Sequence, residues 1–139
     1  MEIKDWINLA RIVATTVDRD RVHISFIVKK KTRLLTIGTN AFKTHPLTHK
    51  YGYMMPYLHS ELDAFRKLRH PQDKLTLLNF RFSKTGKLGM AQPCVYCLPW
   101  CTTVFDNIVY SNHLGEISES TRSSNWECLV GPNGTPQGC

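Results

Sequence analysis

The sequence predicts an α/β fold, a three-layer α/β/α sandwich built on a mixed sheet of about five strands. Three observations predict it. Short segments rich in apolar and β-branched residues alternate with segments whose apolar residues recur at helical spacing. The first two strand-like segments are separated only by a short turn, which indicates an antiparallel hairpin. The later strand-like segments are separated by helices, which indicates parallel neighbours joined by right-handed crossovers.

The first half of the chain predicts a helix, a hairpin and a long loop. Residues 2–15 carry apolar side chains at helical spacing. The segments at 22–28 and 33–38 are predicted strands, and the lysine-rich stretch between them is the turn. Residues 39–58 hold two prolines, one glycine and three tyrosines without a regular period. We expect a loop there, and long loops in compact domains often bind ligands.

The second half continues the alternation of helices and strands. It predicts a helix at 60–70, a strand at 75–82, a short helix after Pro93, a strand at 107–111 and a final edge strand at 126–130. A chain of 139 residues fits one domain, which we assign to residues 1–130, with a flexible C-terminal tail at 131–139.

The charge of the chain suits an anionic partner. It has 18 Lys and Arg against 11 Asp and Glu, for a net charge of +7. A nucleotide phosphate or a polynucleotide would match this charge, although solubility alone also explains it. The apolar runs are too short to cross a membrane, and the charged stretch MEIKDWINLAR lacks the apolar core of a signal peptide. We therefore expect a cytoplasmic protein without a membrane segment.

The five cysteines indicate metal or redox chemistry rather than a disulfide framework. They are Cys94, Cys97, Cys101, Cys128 and Cys139, and the first three lie close together in the sequence. Their odd number also argues against a framework in which every cysteine is paired. A Cys-x-x-Cys pair in a chain without a signal peptide points to a metal site or to redox work in a reducing compartment.

Two short stretches carry the candidate chemistry: His59-Ser60-Glu61 and Pro93-Cys94-Val95-Tyr96-Cys97. One histidine and two cysteines supply three ligands for zinc and leave the fourth tetrahedral position open for a water. Each stretch begins a predicted helix, where unpaired N–H groups stabilise thiolates. His59 and Glu61 are two residues apart, so they can share a pocket only if His59 precedes the regular helix.

The pattern H-x-E followed by P-C-x-x-C resembles the signature of the zinc-dependent cytidine deaminase-like superfamily. This superfamily includes deaminases of free nucleosides, of deoxycytidylate, of tRNA adenosine and of cytosine in DNA or RNA. The two halves are 32 residues apart, counted from Glu61 to Pro93, with one predicted strand between them. The resemblance spans about residues 20–112, and GTNAFKTHP at 38–46 is similar to small phage-type members.

The resemblance implies a role for each motif residue. His59, Cys94 and Cys97 would bind one Zn²⁺ per chain, and Glu61 would move protons without binding the metal. Two further roles concern the substrate. Asn40, at the end of the second strand, matches a substrate-contacting asparagine, although a strand-end turn residue is the plain alternative. The backbone around Ser60 would bind the edge of the base.

The resemblance also bears on the substrate ring. Members that act on adenosine or polynucleotides usually add a helix after the fourth strand, whereas nucleoside-type members turn back in a hairpin. Residues 112–125 are rich in Ser, and their apolar residues do not recur at helical spacing. They therefore favour the hairpin, and with it cytosine as the substrate ring. The expected partner is a cytosine-containing nucleoside, nucleotide or single-stranded nucleic acid. The alternatives are an adenosine deaminase of the tRNA-editing type and a non-catalytic zinc module that binds nucleic acid. Short members commonly form homo-oligomers.

Several neighbouring residues have plainer roles. Cys101 lies seven residues beyond Cys94, about 10 Å along a helix, which is too far for a shared zinc. We expect it in the core, together with Trp100 and Phe105. Pro99 is compatible with a helix that effectively begins near Leu98. Stacking of a loop tyrosine on the base and simple packing of the loop are equally open for Tyr51, Tyr53 and Tyr57, and His45 and His49 are expected to be surface or loop residues.

Overall fold

The computed structural model describes residues 2–17, 21–41, 46–50, 58–70, 72–94, 97–112 and 114–121, without the side chains of Leu47, His49 and Thr121. The helices are α1 (Ile3–Ala14), α2 (Pro46–Lys50), α3 (Ser60–Arg66) and α4 (Leu98–Val104). The strands are β1 (Val22–Lys29), β2 (Arg33–Thr39), β3 (Leu75–Phe82), β4 (Leu88–Gly89), β5 (Asn107–Ser111) and β6 (Ile117–Thr121).

The strands form one mixed sheet in the order β2-β1-β3-β5-β6, and the short β4 pairs with the free end of β3. Strand β1 is antiparallel to both β2 and β3. Strands β3 and β5 are parallel, with α4 in the connection between them, and β6 returns antiparallel to β5. The predicted mixed sheet and opening hairpin are confirmed, and so are parallel neighbours joined through a helix in the case of β3 and β5. Strands β2 and β3 are also separated by a helix, but they are not neighbours, because β1 lies between them.

One face of the sheet is covered by α1. Trp6 and Ala10 of this helix belong to a buried cluster with Phe26 of β1 and Phe80 of β3. The rings of Trp6 and Phe26 lie 5.6 Å apart, and those of Phe26 and Phe80 lie 6.3 Å apart. Each large aromatic ring removed from water contributes roughly 1.5–3 kcal/mol, so this cluster holds α1 on the sheet.

The other face is covered by α3 and α4, which completes three layers. Leu62 of α3 and Trp100 of α4 are buried with Leu77 of β3. Because side chains alternate along a strand, the same face of β1 and β3 also carries Ser25 and Asn79, two polar residues that are fully or almost fully buried. This face carries the candidate site.

Three local predictions are corrected. The predicted loop at 39–58 contains α2, whose first residue Pro46 already has the backbone angle that a helix start needs. The predicted helix at 60–70 ends at Arg66, where bonds from Lys67 N to Ala64 O and from Leu68 N to Phe65 O tighten the chain into a turn. The turn-rich segment at 83–89 includes the short strand β4.

The hairpin after β5 is confirmed. Gly115, with φ of 74°, lies in the turn before β6, and no helix intervenes between β5 and β6 in the described residues. The returning strand begins at Ile117, earlier than the edge strand predicted at 126–130. That segment and the tail at 131–139 lie outside the described residues.

Across the described ranges, no helix has the length and apolar character needed to span a lipid bilayer.

Candidate active site

His59 is the residue that precedes the first turn of α3. Its backbone is extended, with φ of −69° and ψ of 152°, and the helix begins at Ser60. This geometry confirms that His59 lies outside the regular helix, which allows its side chain and that of Glu61 to reach the same pocket.

A glycine in β2 determines how closely α3 approaches the sheet. A Cβ atom on Gly38 would lie 2.1 Å from Ser60 O and 2.4 Å from Ala64 N, both of which belong to the helix backbone. Only glycine fits this contact. The deaminase motif does not include Gly38, but an isolated glycine within a predicted strand is a known signal of close backbone approach.

The two cysteines lie in a turn that leads into α4. Cys94 O accepts bonds from Cys97 N at 3.1 Å and from Leu98 N at 2.8 Å. The helix begins at Leu98, so Pro99 is in its first turn, where the missing N–H costs little. The expected start of this helix near Leu98 is confirmed.

The three predicted ligands meet in space. His59 Nδ1 lies 3.5 Å from Cys94 Sγ and 3.6 Å from Cys97 Sγ. The ligand atoms of these three residues all lie within 4.8 Å of one another. With Zn–S near 2.3 Å and Zn–N near 2.05 Å, a tetrahedral zinc holds a sulfur and a nitrogen about 3.6 Å apart. The donor types and their spacing therefore fit zinc.

Cys101 is not part of this group. It is fully buried in the core beneath the site, and so are Trp100 and Phe105, whose rings lie 6.2 Å apart. Burial raises the pKa of the Cys101 thiol well above its ordinary value. The prediction that these three residues are core residues is confirmed.

Each of the three candidate ligands has a pKa that is shifted from its ordinary value. A hydrogen bond from Cys97 and another from His59 lower the pKa of Cys94 to about 5, against the opposing effect of burial. Burial raises the pKa of Cys97 well above its ordinary value. Burial alone would lower the pKa of His59, but the bond to Cys94 and the charge of Glu61 raise it. Because zinc binds the deprotonated forms, its binding at this site displaces protons.

Glu61 is buried beside the three ligands without being one of them. Ser60 Oγ donates a hydrogen bond of 2.8 Å to Glu61 Oε1. Burial alone would raise the pKa of Glu61, but the charge of His59 and hydrogen bonds with Cys97 and Ser60 lower it. The result is a buried carboxyl group held next to the position that a metal would occupy.

A chain of buried polar side chains extends from Glu61 into the sheet. The Ser25 hydroxyl of β1 lies 2.8 Å from Ser60 Oγ and 2.5 Å from Asn79 Oδ1 of β3. Asn79 Nδ2 in turn donates to Ala91 O at 2.7 Å. The sequence motif does not contain Ser25 or Asn79. The available signal was one polar residue between two apolar neighbours in each strand: Ser25 between Ile24 and Phe26, and Asn79 between Leu78 and Phe80.

Asn40 lies at the rim of this region, where it joins β2 to β1. Its Oδ1 accepts from His23 N at 3.1 Å, and its Nδ2 donates to Arg21 O at 3.4 Å. These bonds agree with the plain alternative of a strand-end residue that shapes the turn. Contact of Asn40 with a substrate stays a prediction, as does contact of the base with the backbone around Ser60.

His23 of β1 is a further titratable group at this site. Burial lowers its pKa, while the charge of Glu61 raises it and the charges of Arg81, His59 and Arg21 lower it. His23 therefore lies under the electrostatic influence of Glu61, of the candidate ligand His59 and of two arginines. No motif identified it, because its role depends on which strands are neighbours.

Comparison with known proteins supports the fold. No protein-family model and no curated protein sequence matches the chain. Among solved structures, it is similar to the apo form of the dCMP deaminase from the cyanophage S-TIM5, with a TM-score of 0.51. The match covers 79% of this chain and 82% of that one, at 17% sequence identity.

The chain shares its fold with that dCMP deaminase. The similarity to that structure confirms the fold that the H-x-E and P-C-x-x-C motifs predict, and at 17% identity it shows the fold alone. Five residues considered from the sequence, Tyr51, Tyr53, Tyr57, His45 and the side chain of His49, lie outside the described part of the chain, and so do Cys128 and Cys139.

Proposed function

We propose that this protein is a zinc-dependent hydrolytic deaminase that converts a cytosine base to uracil and releases ammonia. The observation that carries the proposal is a single arrangement: His59 Nδ1 lies at zinc spacing from the sulfurs of Cys94 and Cys97, with the carboxylate of Glu61 buried beside them. Three protein ligands leave one position open, as in catalytic rather than structural zinc sites. A purely structural site has no use for a buried carboxylate that does not bind the metal.

In the proposed reaction, Glu61 and Ser60 have separate roles. Zinc, when bound, lowers the pKa of a coordinated water to roughly 7 and so makes a nucleophile available at neutral pH. Glu61 accepts a proton from the attacking water and delivers it to the ring nitrogen beside the reacting carbon. The water oxygen forms a bond to the ring carbon that carries the amino group. Glu61 then takes the remaining proton of this added hydroxyl and passes it to the exocyclic amino group. The C–N bond breaks, ammonia leaves, and the ring carbon keeps the oxygen as a carbonyl. Ser60 orients this carboxylate through its 2.8 Å hydrogen bond.

Two observations support cytosine as the substrate ring. The hairpin of β5 and β6 matches the form that the resemblance associates with cytosine nucleosides. The structural neighbour is itself a dCMP deaminase. We propose that the base enters beside Asn40 and is held by backbone groups near Ser60, with one zinc per chain as the only cofactor. A cytoplasmic location and a homo-oligomeric state belong to the same proposal.

A substrate panel tests the proposed function. Zinc-loaded protein would be incubated with cytosine and adenine compounds, each as free base, nucleoside, nucleotide and single-stranded oligonucleotide, and ammonia and product base would be measured. We expect uracil products from cytosine compounds. Release of ammonia from adenine compounds alone would contradict the ring assignment but not the zinc chemistry. Absence of turnover across the whole panel would favour a non-catalytic zinc module.

A further inference from the structure

A basic pocket lies at the end of the sheet where β1 begins and β3 ends. Its volume is about 370 Å³. Three cationic residues line it, and among the described residues no acidic one does; the lining includes Arg21, Arg81, Lys87, Ser83, Gly89 and Met90. None of these residues belongs to the H-x-E or P-C-x-x-C motif, so the pocket is independent of the evidence for zinc.

The strand register places this pocket beside the candidate active site. Arg81 of β3 is the cross-strand partner of His23 in β1, and His23 is bonded to Asn40 at the end of β2. Adjacent strands are about 4.8 Å apart, so Arg81 and Asn40 are roughly 10 Å apart with His23 between them. Arg81 also follows Asn79 by two residues, which places both on the sheet face that carries Glu61.

Within the described part of the chain, the three cations have no anionic partner. The ion pairs found among the described residues involve Lys4, Lys31, Arg66 and Lys67. Arg21, Arg81 and Lys87 form none in that part of the chain. Partial burial and the nearby charge of Arg21 lower the pKa of Arg81, as expected for two like charges held close together.

We propose that this pocket binds a phosphate group on the sugar of the substrate, so that the enzyme acts on a cytosine nucleotide, free or within a strand, in preference to a nucleoside. The inference rests on the proposed function, which it narrows. A phosphate relieves the repulsion between the two arginines, and each guanidinium can bind two phosphate oxygens at once. Lys87 adds a point charge at the mouth. The base would lie toward Glu61 and the sugar near Asn40.

The first test compares substrates and charge-removing variants. Values of kcat/KM would be measured for deoxycytidine, deoxycytidine 5′-phosphate and a short single-stranded oligonucleotide with one cytosine, using zinc-loaded full-length protein. We expect the wild type to prefer a phosphorylated form over deoxycytidine. Arg81→Gln and Lys87→Gln should each reduce that preference by about 10- to 100-fold, the range expected for a lost hydrogen bond to a charged group. Arg33→Gln, an exposed arginine at the opposite end of the sheet, should keep it.

The two phosphorylated substrates separate the sources of the phosphate. A preference for the mononucleotide assigns the pocket to a free nucleotide, and a preference for the oligonucleotide assigns it to the backbone of a strand. The proposal is overturned if deoxycytidine is used as well as both phosphorylated forms. It is also overturned if the preference is unchanged in both folded variants.

A binding measurement keeps this test separate from the proposed function. Calorimetric titration with inorganic phosphate requires no turnover, so it remains decisive even if no cytosine compound is deaminated. We expect phosphate to bind to the wild type and to Arg33→Gln, and to bind more weakly to Lys87→Gln. Lys87 is exposed, so its replacement should leave the fold intact, and weaker binding would not be due to misfolding. Equal phosphate binding by Lys87→Gln, Arg81→Gln and the wild type would refute the pocket assignment.

Discussion

At the scale of single residues, two cysteines seven positions apart have different fates. Cys94 and Cys101 lie in the same short segment of the chain. Cys94 Sγ lies 3.5 Å from His59 Nδ1, whereas Cys101 is buried in the core. The backbone directly before α4 therefore determines which cysteines can reach His59.

Substitution of a ligand should remove the metal. In Cys97→Ser, the zinc affinity should fall by at least about tenfold and the free energy of unfolding should also fall, because metal binding contributes to folding. Zinc per chain and thermal unfolding would be measured side by side. Cys101→Ala is the matched control: it loses a buried thiol and some stability but should keep its zinc. Full zinc occupancy in Cys97→Ser would disprove this ligand assignment.

The hydroxyl next to Glu61 should matter for turnover more than for folding. In Ser60→Ala, Glu61 loses the 2.8 Å bond that orients it, and Ser25 loses one partner. We expect kcat to fall by about 10- to 100-fold, since bonds to charged groups contribute roughly 1.5–3 kcal/mol. The metal content and KM should change little. Ser111→Ala, which removes another buried serine bonded to Gly89 O, should leave kcat near the wild-type value. Similar kcat values for both variants would contradict this role.

The motif residues could be predicted from the sequence, but the residues that surround them in the site could not. His59, Glu61, Cys94 and Cys97 are identified by spacing, since each pair is close in the sequence. Ser25, Asn79 and His23 depend on which strands are neighbours and in which register they pair. A sequence shows which residues of a strand are polar, but it does not show what faces them across the sheet.

At the scale of elements, the contact of α3 with β2 places the first half of the site. A Cβ at Gly38 would overlap with the helix backbone. Gly38→Ala should therefore destabilise the protein by about 1–3 kcal/mol or more, and should weaken zinc binding by moving His59 away from the cysteines. Denaturant unfolding and metal analysis would measure the two effects. Gly89→Ala is the control, because a Cβ there would meet only Arg81 Cδ at 3.8 Å. Wild-type stability in Gly38→Ala would disprove the tight contact.

A second contact between the same elements is electrostatic. Asp63 of α3 accepts bonds from Thr39 N, from Arg66 Nε and from Lys67 Nζ. Burial alone would raise the pKa of Asp63, but these three donors lower it. A carboxyl whose pKa is lowered on folding stabilises the protein above its ordinary pKa of about 4 and loses that contribution as the pH falls further.

The difference in stability between the wild type and Asp63→Asn should therefore depend on pH. At pH 7, we expect a loss of about 1–3 kcal/mol in the free energy of unfolding. The difference from the wild type should shrink as the pH falls below about 4, because the wild-type carboxyl becomes protonated there. Denaturant unfolding at a series of pH values would measure it, with the exposed Asp73→Asn as control. A difference that stays constant down to pH 2 would contradict the assigned sign.

Element type was easier to predict than element ends. Strands β1, β3 and β5 and helix α1 follow from clear apolar periods, and the structure confirms them. The end of α3 and the presence of α2 and β4 were not predicted. Each depends on a few local bonds rather than on a repeated pattern: the turn after Arg66, the restricted backbone of Pro46, and the pairing of Gly89 with Arg81.

At the scale of the whole molecule, the sheet brings distant segments to one place. The β1–β3 pairing sets Ser25 beside Asn79, and the helices on the same face deliver His59 and Cys97 from segments 38 residues apart. The layered fold could be predicted because strands and helices alternate, and the similarity to a solved dCMP deaminase confirms it. The basic pocket could not be predicted, since Arg21, Arg81 and Lys87 are separated in the sequence and converge only in the folded chain.

The most direct test of the central claim uses one variant and two measurements. The claim is that zinc bound by His59, Cys94 and Cys97 works together with Glu61, which binds no metal. Glu61→Gln keeps the shape of the side chain and loses its acid–base function. We expect it to hold the same one zinc per chain as the wild type and to form uracil about 10²- to 10⁴-fold more slowly. Wild-type rates of uracil formation in a zinc-loaded Glu61→Gln protein would contradict the account.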